Sequence, residues 1–300
     1  MSDGGLRIAI LGTGALATFF GARLGRAHRV VIGGSWPAGL AALRAPGACI
    51  EGEDPVPLSA GPIDALEPPA DFVLVLVKGP QTAGVAPIAA RLAERRGVIV
   101  TLQNGLGLRG LLEAAAGRER VAAGVTDLGV TLLGPGRVRA FAGRLVLEDR
   151  LDRLAGALRA CGIETETARD LRPHVWRKLA VNCALNALTA LLDIDNGAVL
   201  DDPSRRLLVE KAARETAAVA SAAGVPLPGD AAEDALAVAR GTAGNRSSMR
   251  QDLARHAATE IEFLNGAVAR EGLRLGVPTP VNTWLANEVR QRALAPAGAR

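Results

Sequence analysis

The first half of the chain alternates short apolar runs of strand length with longer Ala- and Leu-rich segments in which apolar residues recur at helical spacing. The clearest strand-like runs cover residues 6–11, 29–32, 72–77 and 98–102. Apolar runs that alternate with helices are typical of a parallel sheet covered by helices on both faces. We therefore predict a doubly wound α/β domain at the start of the chain.

The pattern changes twice farther along the chain. The segment VAAGVTDLGVTLLGPGRVRAFAGRLVLED holds three more β-like runs separated by GPGR and AGR turns, which predicts an antiparallel extension of the sheet. From about Leu171 onward only helical patterns remain, interrupted by DDP, GVPLPGD and GVPTP. We predict a boundary between Ala168 and Pro173, with an α/β domain over residues 1–168 and an all-helical domain over residues 169–300.

Composition and charge argue against several classes of function. The net charge of +4 comes from 35 Lys and Arg against 31 Asp and Glu, and the basic residues are dispersed without interleaved aromatic side chains, so we expect no nucleic-acid partner. No apolar stretch approaches the ~18 residues of a membrane span, and the start of the sequence has no pattern of a targeting segment, so we expect no membrane attachment. The three cysteines have neither disulfide nor metal-ligand spacing, which predicts no bound metal and a reducing, cytoplasmic compartment.

The motif GTGALA at residues 12–17 follows the first predicted strand and begins a helical pattern. Gly12 permits a tight turn, Gly14 lets the backbone approach a pyrophosphate, and the amides at the helix N-terminus bind the anion. An ordinary glycine-rich turn between a strand and a helix is the alternative. We predict a Rossmann-type dinucleotide-binding turn whose cofactor-binding residues are Gly12, Thr13, Gly14, Ala15 and Leu16.

The choice of dinucleotide is normally determined at the end of the second strand, where this sequence reads RVVIGGSW. Residues 33–36 offer neither the acid that binds the ribose hydroxyls of NAD nor the arginine that binds the phosphate of NADP. We predict that Ser35 binds the cofactor, with Arg44 reaching in from the following helix. This favours NADP(H) and leaves NAD(H) open.

Residues 175–191 read VWRKLAVNCALNALTAL, an apolar run in which Lys178, Asn182 and Asn186 occupy every fourth position. At ~100° per residue a step of four residues drifts by only ~40°, so the three side chains form one slanting stripe on a helix. Such a stripe either makes hydrogen bonds between packed helices or lines a substrate pocket. The residues alone leave both alternatives open.

Several motifs occur together along most of the chain, namely GTGALA, LVKGPQT at residues 76–82, LQNGLG at residues 102–107, WRKLAVNCALNALTAL, NRSSMRQDL, TEIEFLNG and GVPTPVN. In this combination the chain resembles the 2-dehydropantoate 2-reductase (ketopantoate reductase) family. The resemblance implies a Rossmann-type N-terminal domain followed by an all-α substrate and catalytic domain. It also implies an oxidoreductase that reduces a small 2-oxo acid, 2-dehydropantoate, to pantoate with NADPH in pantothenate biosynthesis.

The resemblance also implies catalytic roles for two residues. Lys178 matches the family's catalytic lysine, which polarises the 2-oxo group and acts as general acid. Glu260 matches the glutamate that orients this lysine and accepts a hydrogen bond from the substrate hydroxyl. Phe263, Leu264 and Ala267 follow Glu260 at helical spacing, which predicts that the carboxylate shares one side of a helix with apolar neighbours.

Substrate and cofactor positions match in the same way. The positions that bind the carboxylate and hydroxyl groups of the substrate match Asn182, Asn186, Asn245 and Ser248. Asn196, which precedes Gly197, is either a further substrate-binding residue or a simple turn residue. Lys78 and Asn104 each follow the carboxyl end of a predicted parallel strand, where such sheets bind ligands, and match residues that contact the cofactor in the family.

Two alternative functions stay open. A paralogous reductase of a different 2-oxo or 3-hydroxy acid would have the same catalytic residues, whereas a non-catalytic NAD(P)-binding sensor would share only the fold. The oligomeric state is open as well, because the Ala-rich stretch EKAARETAAVASAAG suits either the core of the helical domain or the interface of a homodimer.

Overall fold

The computed structural model describes residues 5–94 and 96–294. The strands in these ranges, labelled in chain order, are Arg7–Leu11 (β1), Arg29–Gly34 (β2), Cys49–Ile50 (β3), Ser59–Pro62 (β4), Phe72–Val75 (β5), Val98–Thr101 (β6), Val121–Thr126 (β7), Val130–Gly134 (β8), Arg137–Ala140 (β9), Leu145–Glu148 (β10) and Thr165–Ala168 (β11). The helices are Ala15–Leu24 (α1), Pro37–Ala42 (α2), Thr82–Leu92 (α3), Leu108–Ala116 (α4), Asp152–Ala160 (α5), Arg172–Leu192 (α6), Pro203–Ala222 (α7), Ala231–Gly241 (α8), Ser248–Ala254 (α9), Asn265–Leu275 (α10) and Pro280–Leu294 (α11).

The N-terminal unit is built on an eight-stranded sheet with the order β11-β10-β7-β6-β5-β1-β2-β4. From β7 to β4 all neighbouring strands pair in parallel. β1 lies between β2 and β5, with Ile10 opposite Ile32 on one side and opposite Leu74 on the other. The strand order therefore reverses beside β1, and the predicted doubly wound parallel sheet is confirmed.

Burial on both faces explains why the central strands are nearly continuous apolar runs. Ile8 and Ile10 of β1 pack in one hydrophobic cluster with side chains from α1 and α5. Ala9 and Leu11 pack in a second cluster with side chains from α3 and α4. Because successive side chains of a strand point to opposite faces, this division places helices on both sides of the sheet.

The segment after β6 departs from the expected antiparallel extension. β7 pairs in parallel with β6, and β8 and β9 form an antiparallel hairpin in a separate three-stranded sheet, where β9 also pairs with β3. β10 does pair antiparallel with β7 and thereby extends the main sheet. The expectation was wrong for β8 and β9 because β9 pairs with β3, and β3 is only the dipeptide Cys49–Ile50, which is too short to show a periodic pattern.

The helical unit begins at Arg172 and also includes the loop Asn104–Gly107, while the other unit runs to Gln103 and from Leu108 to Leu171. Ala, Leu and Val side chains from its helices form one core. Within the Ala-rich stretch of α7, the side chains in that core are Ala212, Ala213, Val219 and Ala220. These positions therefore serve the unit's own packing. Between residues 172 and 294 the chain forms no strand, and none of the described helices is long and apolar enough to span a membrane.

Candidate active site

The turn between β1 and α1 has the shape that the GTGALA motif predicts. Gly12 has φ 128°, its N–H donates to Gly33 O at 2.7 Å, and a Cβ there would lie 2.9 Å from Leu76 O. Gly14 is exposed and immediately precedes α1, and a Cβ at this position would meet nothing within 4 Å. The chain thus passes close to the neighbouring strand at Gly12, and open space lies beside the helix N-terminus at Gly14. Such a cradle of backbone amides fits an anion like a pyrophosphate.

The other predicted residues of this turn differ in exposure. Thr13 is buried, and its side chain packs against Gly34 at the end of β2. Ala15 and Leu16 are half-buried at the start of α1 and pack on the hydrophobic cluster of that face. Their backbone amides, rather than their side chains, are the groups suited to a phosphate oxygen.

The end of β2 presents Ser35 to solvent, as the cofactor prediction requires. Trp36 follows it, precedes α2 and packs over Gly39. Arg44 donates from Nε to Leu40 O at 3.3 Å, so its guanidinium is bonded to the backbone of α2, which ends two residues before it. This contact does not support the expectation that Arg44 reaches toward Ser35.

Lys78 and Gln103 lie at the carboxyl ends of the adjacent strands β5 and β6. Lys78 is half-buried, and its N–H donates to Gln81 Oε1 at 3.2 Å. Gln103 Nε2 donates to Val77 O at 2.7 Å and to Thr82 Oγ1 at 2.8 Å, which ties the two strand ends together. Sequence reasoning missed Gln103, although it precedes Asn104 in the LQNGLG motif.

Asn104 belongs to the helical unit, where its loop packs against the turn that contains Glu260. Asn104 Nδ2 lies 3.5 Å from Glu260 Oε2, and Leu106 N–H donates to Phe263 O at 2.9 Å. Gly105 between them has φ 99°, and a Cβ there would overlap Phe263 O. The loop therefore brings Asn104 to the predicted catalytic carboxylate. Asn104 Oδ1 is buried and accepts no hydrogen bond within the described chain, which leaves an acceptor for a ligand.

Glu260 is buried, with 6% exposure, but it does not lie on a helix. The N–H groups of Phe263 and Leu264 donate to Glu260 O at 3.0 and 3.1 Å, and α10 begins only at Asn265. The prediction that Glu260 shares a helix side with Phe263, Leu264 and Ala267 was therefore wrong. Apolar residues at helical spacing are compatible with a compact turn followed by a helix, and here Leu264 is buried on the turn.

The predicted stripe on α6 runs along the edge of the buried face of that helix. Lys178, Asn182 and Asn186 are all half-buried, and the buried residues that alternate with them are Leu179, Ala180, Cys183, Ala184, Leu185 and Ala187. Burial raises the pKa of the Cys183 thiol far above its ordinary value, so this cysteine packs as an apolar side chain and is not a nucleophile.

Asn245, Ser248 and Asn196 lie together around one loop of the helical unit. Asn245 and Ser248 are exposed, and Ser248 is the first residue of α9. Asn196 is buried, with its N–H donating to Asn245 O at 3.0 Å and its Nδ2 to Thr242 Oγ1 at 2.9 Å. In this structure Asn196 holds the loop that carries Asn245, and a direct contact with substrate stays a prediction.

Arg250 and Ser247 fix α9 next to this loop, and sequence reasoning assigned neither. Arg250 Nε donates to Asp193 at 2.7 Å, and its guanidinium also pairs with Asp195. Ser247 Oγ accepts from Arg250 N–H at 3.2 Å and from Thr189 Oγ1 of α6 at 2.8 Å. The adjacent serines of NRSSM thus divide their roles, because Ser247 caps the helix and Ser248 faces solvent. The sequence signal that could have identified Arg250 is the acidic segment DID before Asn196, because its two aspartates need a basic partner.

Comparisons with known proteins match both halves of the chain. The model of the family described as ketopantoate reductase PanE/ApbA matches residues 8–150, and that of its C-terminal region matches residues 170–293. A 2-dehydropantoate 2-reductase of Halobacterium salinarum is 35% identical over 298 residues, which is 95% of this chain and 98% of that protein.

Solved structures with a similar fold include a ketopantoate reductase and a D-mandelate dehydrogenase. A PanE/ApbA family ketopantoate reductase from Ralstonia eutropha is 33% identical, with a TM-score of 0.88 over 95% of this chain and 98% of that one. D-mandelate dehydrogenase, solved with NADH and anilino(oxo)acetate, is 25% identical, with a TM-score of 0.90 over 95% of this chain and 97% of that one.

Proposed function

The chain belongs to the ketopantoate reductase PanE/ApbA family, and from that premise we propose that it catalyses the NADPH-dependent reduction of 2-dehydropantoate to pantoate in pantothenate biosynthesis. It is an oxidoreductase that acts on a CH–OH group, uses a nicotinamide cofactor and takes a small-molecule substrate. The observation that carries the proposal is the buried Glu260 carboxylate, which receives a hydrogen bond from Asn104 in the same unit as Lys178.

The N-terminal unit supplies the residues that would bind the dinucleotide. The backbone amides of residues 12–16 would bind the pyrophosphate, and Lys78 would approach the phosphates from the end of β5. The reduced nicotinamide supplies the hydride for the 2-oxo carbon when it is bound. We favour NADPH because no acid follows β2 to exclude the extra phosphate, and because the exposed Ser35 offers a hydroxyl to that phosphate.

The helical unit supplies the groups that handle the substrate and the proton. Lys178 would polarise the 2-oxo group and donate the proton that the developing alkoxide requires. Glu260 would orient the ammonium and accept a hydrogen bond from the substrate hydroxyl. Its burial strengthens both interactions, because few water molecules compete with them.

Neutral donors would bind the rest of the substrate, without neutralising the lysine. We assign the carboxylate and hydroxyl contacts to Asn182, Asn186, Asn245 and Ser248, which the structure leaves half-buried or exposed. Asn104 Oδ1 would serve as a further acceptor beside Glu260. Asn196 would support Asn245 through the hydrogen bonds that fix its loop.

An initial-rate panel tests this function. The purified chain is assayed with NADPH and with NADH against ketopantoate and several branched or aromatic 2-oxo acids. We expect the highest kcat/KM for the pair NADPH and ketopantoate. A higher value for another acid would assign the chain to a paralogous reductase, and cofactor binding without turnover of any acid would identify a sensor.

Two further expectations accompany this function. A cytoplasmic location agrees with the three cysteines Cys49, Cys161 and Cys183, which are all free thiols.

A homodimer stays a prediction, and its interface would lie outside the Ala-rich positions that α7 buries in its own core. Light scattering of the purified chain measures its mass in solution, which distinguishes a monomer from a dimer.

A further inference from the structure

Two further amides of the helical unit, distinct from the half-buried stripe on α6, are fully buried. Asn265 is the first residue of α10, Asn282 lies in the first turn of α11, and both are fully buried. Asn265 Nδ2 donates to Asn282 Oδ1 at 3.0 Å. Burying two carboxamides side by side is unfavourable unless hydrogen bonds compensate for the lost water, so these contacts matter for the fold around them.

Glu215 of α7 anchors one end of this group. Its carboxylate accepts from the N–H groups of Val281 and Asn282 and from Asn282 Nδ2, each at 2.9 Å. The carboxylate thus caps the N-terminus of α11, where the first amides have no partner within the helix. Asn282 Nδ2 also donates to Ala212 O at 3.0 Å, which gives α7 and α11 a fixed register.

Asn265 forms the other end, beside the predicted catalytic helix. Its Nδ2 donates to Cys183 O at 2.9 Å, and Cys183 directly follows Asn182 on α6. Asn265 Oδ1 is buried and accepts no hydrogen bond in the described structure. The amide therefore acts through its two donor hydrogens, one directed to α6 and the other to Asn282.

A single tight turn connects Asn265 to Glu260. Leu264 N–H donates to Glu260 O at 3.1 Å, and Gly266 N–H donates to Ile261 O at 2.9 Å. Because Ile261 and Leu264 are also buried in the core, this turn has little freedom to shift by itself. The hydrogen bond from Asn265 to α6 therefore fixes the position of the Glu260 turn relative to α6.

We propose that the half-buried carboxylate of Glu215 and the buried amides of Asn282 and Asn265 form a hydrogen-bonded relay that holds the Glu260 turn in register with α6 and so aligns Glu260 with Lys178. The inference rests on the proposed function of that pair. The relay is a set of positioning residues, because Asn265 and Asn282 are fully buried among protein atoms and so have no surface that a substrate could touch. A displacement of ~1 Å in a reacting group costs ~100-fold in rate, so a modest shift of the turn is enough to be measured.

The kinetic test is a double-mutant cycle between Asn265→Leu and Glu260→Gln. Leucine has a similar volume to asparagine but no donor, so both hydrogen bonds from Asn265 are lost. We expect Asn265→Leu to lower kcat by about tenfold or more with the KM for NADPH unchanged, and to lower it by less than about twofold when Glu260 is already Gln. Equal fold-losses in the two backgrounds would overturn the relay.

Hydrogen–deuterium exchange provides a readout that does not need activity. We expect Asn265→Leu to speed exchange in peptides that cover residues 104–107 and 260–266, because both segments depend on the turn. Leu236→Ala is the matched control, since it removes a buried side chain from α8 of the same core. It should lower Tm and leave both kcat and these peptides unchanged.

The outcomes separate the relay from the proposed function. If the unmodified chain does not reduce ketopantoate, the proposed function fails and the exchange pattern decides the relay. If the unmodified chain is active and Asn265→Leu changes neither kcat nor exchange at residues 260–266, the relay is wrong and the function stands. If Leu236→Ala produces the same local exchange as Asn265→Leu, the effect is general loosening of the core, which also contradicts the relay.

Discussion

The TEIEFLNG motif contains two nearby carboxylates, Glu260 and Glu262, that differ in how deeply they are buried. Glu260 is buried and receives a hydrogen bond from Asn104, whereas the Glu262 side chain is 46% exposed and pairs with Arg270 and Arg290 at the surface. Arg290 holds the pKa of Glu262 below its usual value, so this carboxylate stays ionised near neutral pH. A surface pair of this kind contributes about 0–1 kcal/mol to stability. The two residues therefore provide a matched pair for mutation.

We expect Glu260→Gln to lower kcat by about 100-fold or more, because the carboxylate that orients the lysine becomes a neutral amide. Glu262→Gln should leave kcat within about twofold of the unmodified chain, because it changes only a surface ion pair. Steady-state kinetics with ketopantoate and NADPH measure both variants. Equal losses in the two would argue against a catalytic role for Glu260.

A second prediction at this scale concerns Ser35. Ser35→Asp places a carboxylate at the end of β2, where it can bind ribose hydroxyls and repels the additional phosphate of NADPH. We expect kcat/KM for NADPH to fall by about tenfold or more while that for NADH rises. Ser35→Asn is the uncharged control. If all three proteins have the same ratio of the two kcat/KM values, Ser35 does not contact the ribose.

The turn between β1 and α1 contains two glycines, Gly12 and Gly14, that we expect to serve different purposes. Gly12 has φ 128° and lies against Leu76 O, so Gly12→Ala should lower the free energy of unfolding by about 1–3 kcal/mol. Gly14 has φ −82° and open space, so Gly14→Ala should leave stability unchanged. The new methyl group would instead occupy the space assigned to the pyrophosphate and weaken NADPH binding. Thermal unfolding and titration with NADPH distinguish the two effects, and a Gly14→Ala variant with unchanged affinity would contradict the assignment.

The N-terminus of α7 makes a pH-dependent contribution to stability. Asp202 Oδ1 accepts from Arg205 N–H at 3.0 Å and from Ser204 N–H at 2.7 Å, and these hydrogen bonds lower the pKa of Asp202 from 3.8. Because the pKa is lower in the folded chain, the stabilisation is present above the unfolded value and disappears as the pH falls through the folded one. We expect Asp202→Ala to lower Tm at neutral pH and to match the unmodified chain in strong acid. Asp201→Ala, which changes an exposed neighbour, should have no effect in either condition.

For the whole molecule, the sequence predicted the features that follow from periodicity and missed those that depend on distant partners. Apolar runs and the GTGALA turn indicated the parallel sheet and the cradle at Gly14, because both depend on local pattern. The partner of β9 is a strand of two residues, and the loop of Asn104 packs with the helical unit although it follows a strand of the other one. No local pattern encodes either pairing. The resemblance predicted Glu260 as a catalytic residue, but the sequence did not predict that it lies on a turn. A turn followed by a helix has the same apolar spacing as a continuous helix.

The central claim is that this chain reduces ketopantoate with Lys178 as the proton donor, and the rate of NADPH oxidation by ketopantoate tests it most directly. The variants are Lys178→Ala and, as the control, Lys211→Ala, which removes an exposed lysine from α7. We expect the unmodified chain and Lys211→Ala to turn over equally, and Lys178→Ala to lose about 10²- to 10⁴-fold in kcat. Turnover of ketopantoate by Lys178→Ala at the rate of the unmodified chain would contradict the account.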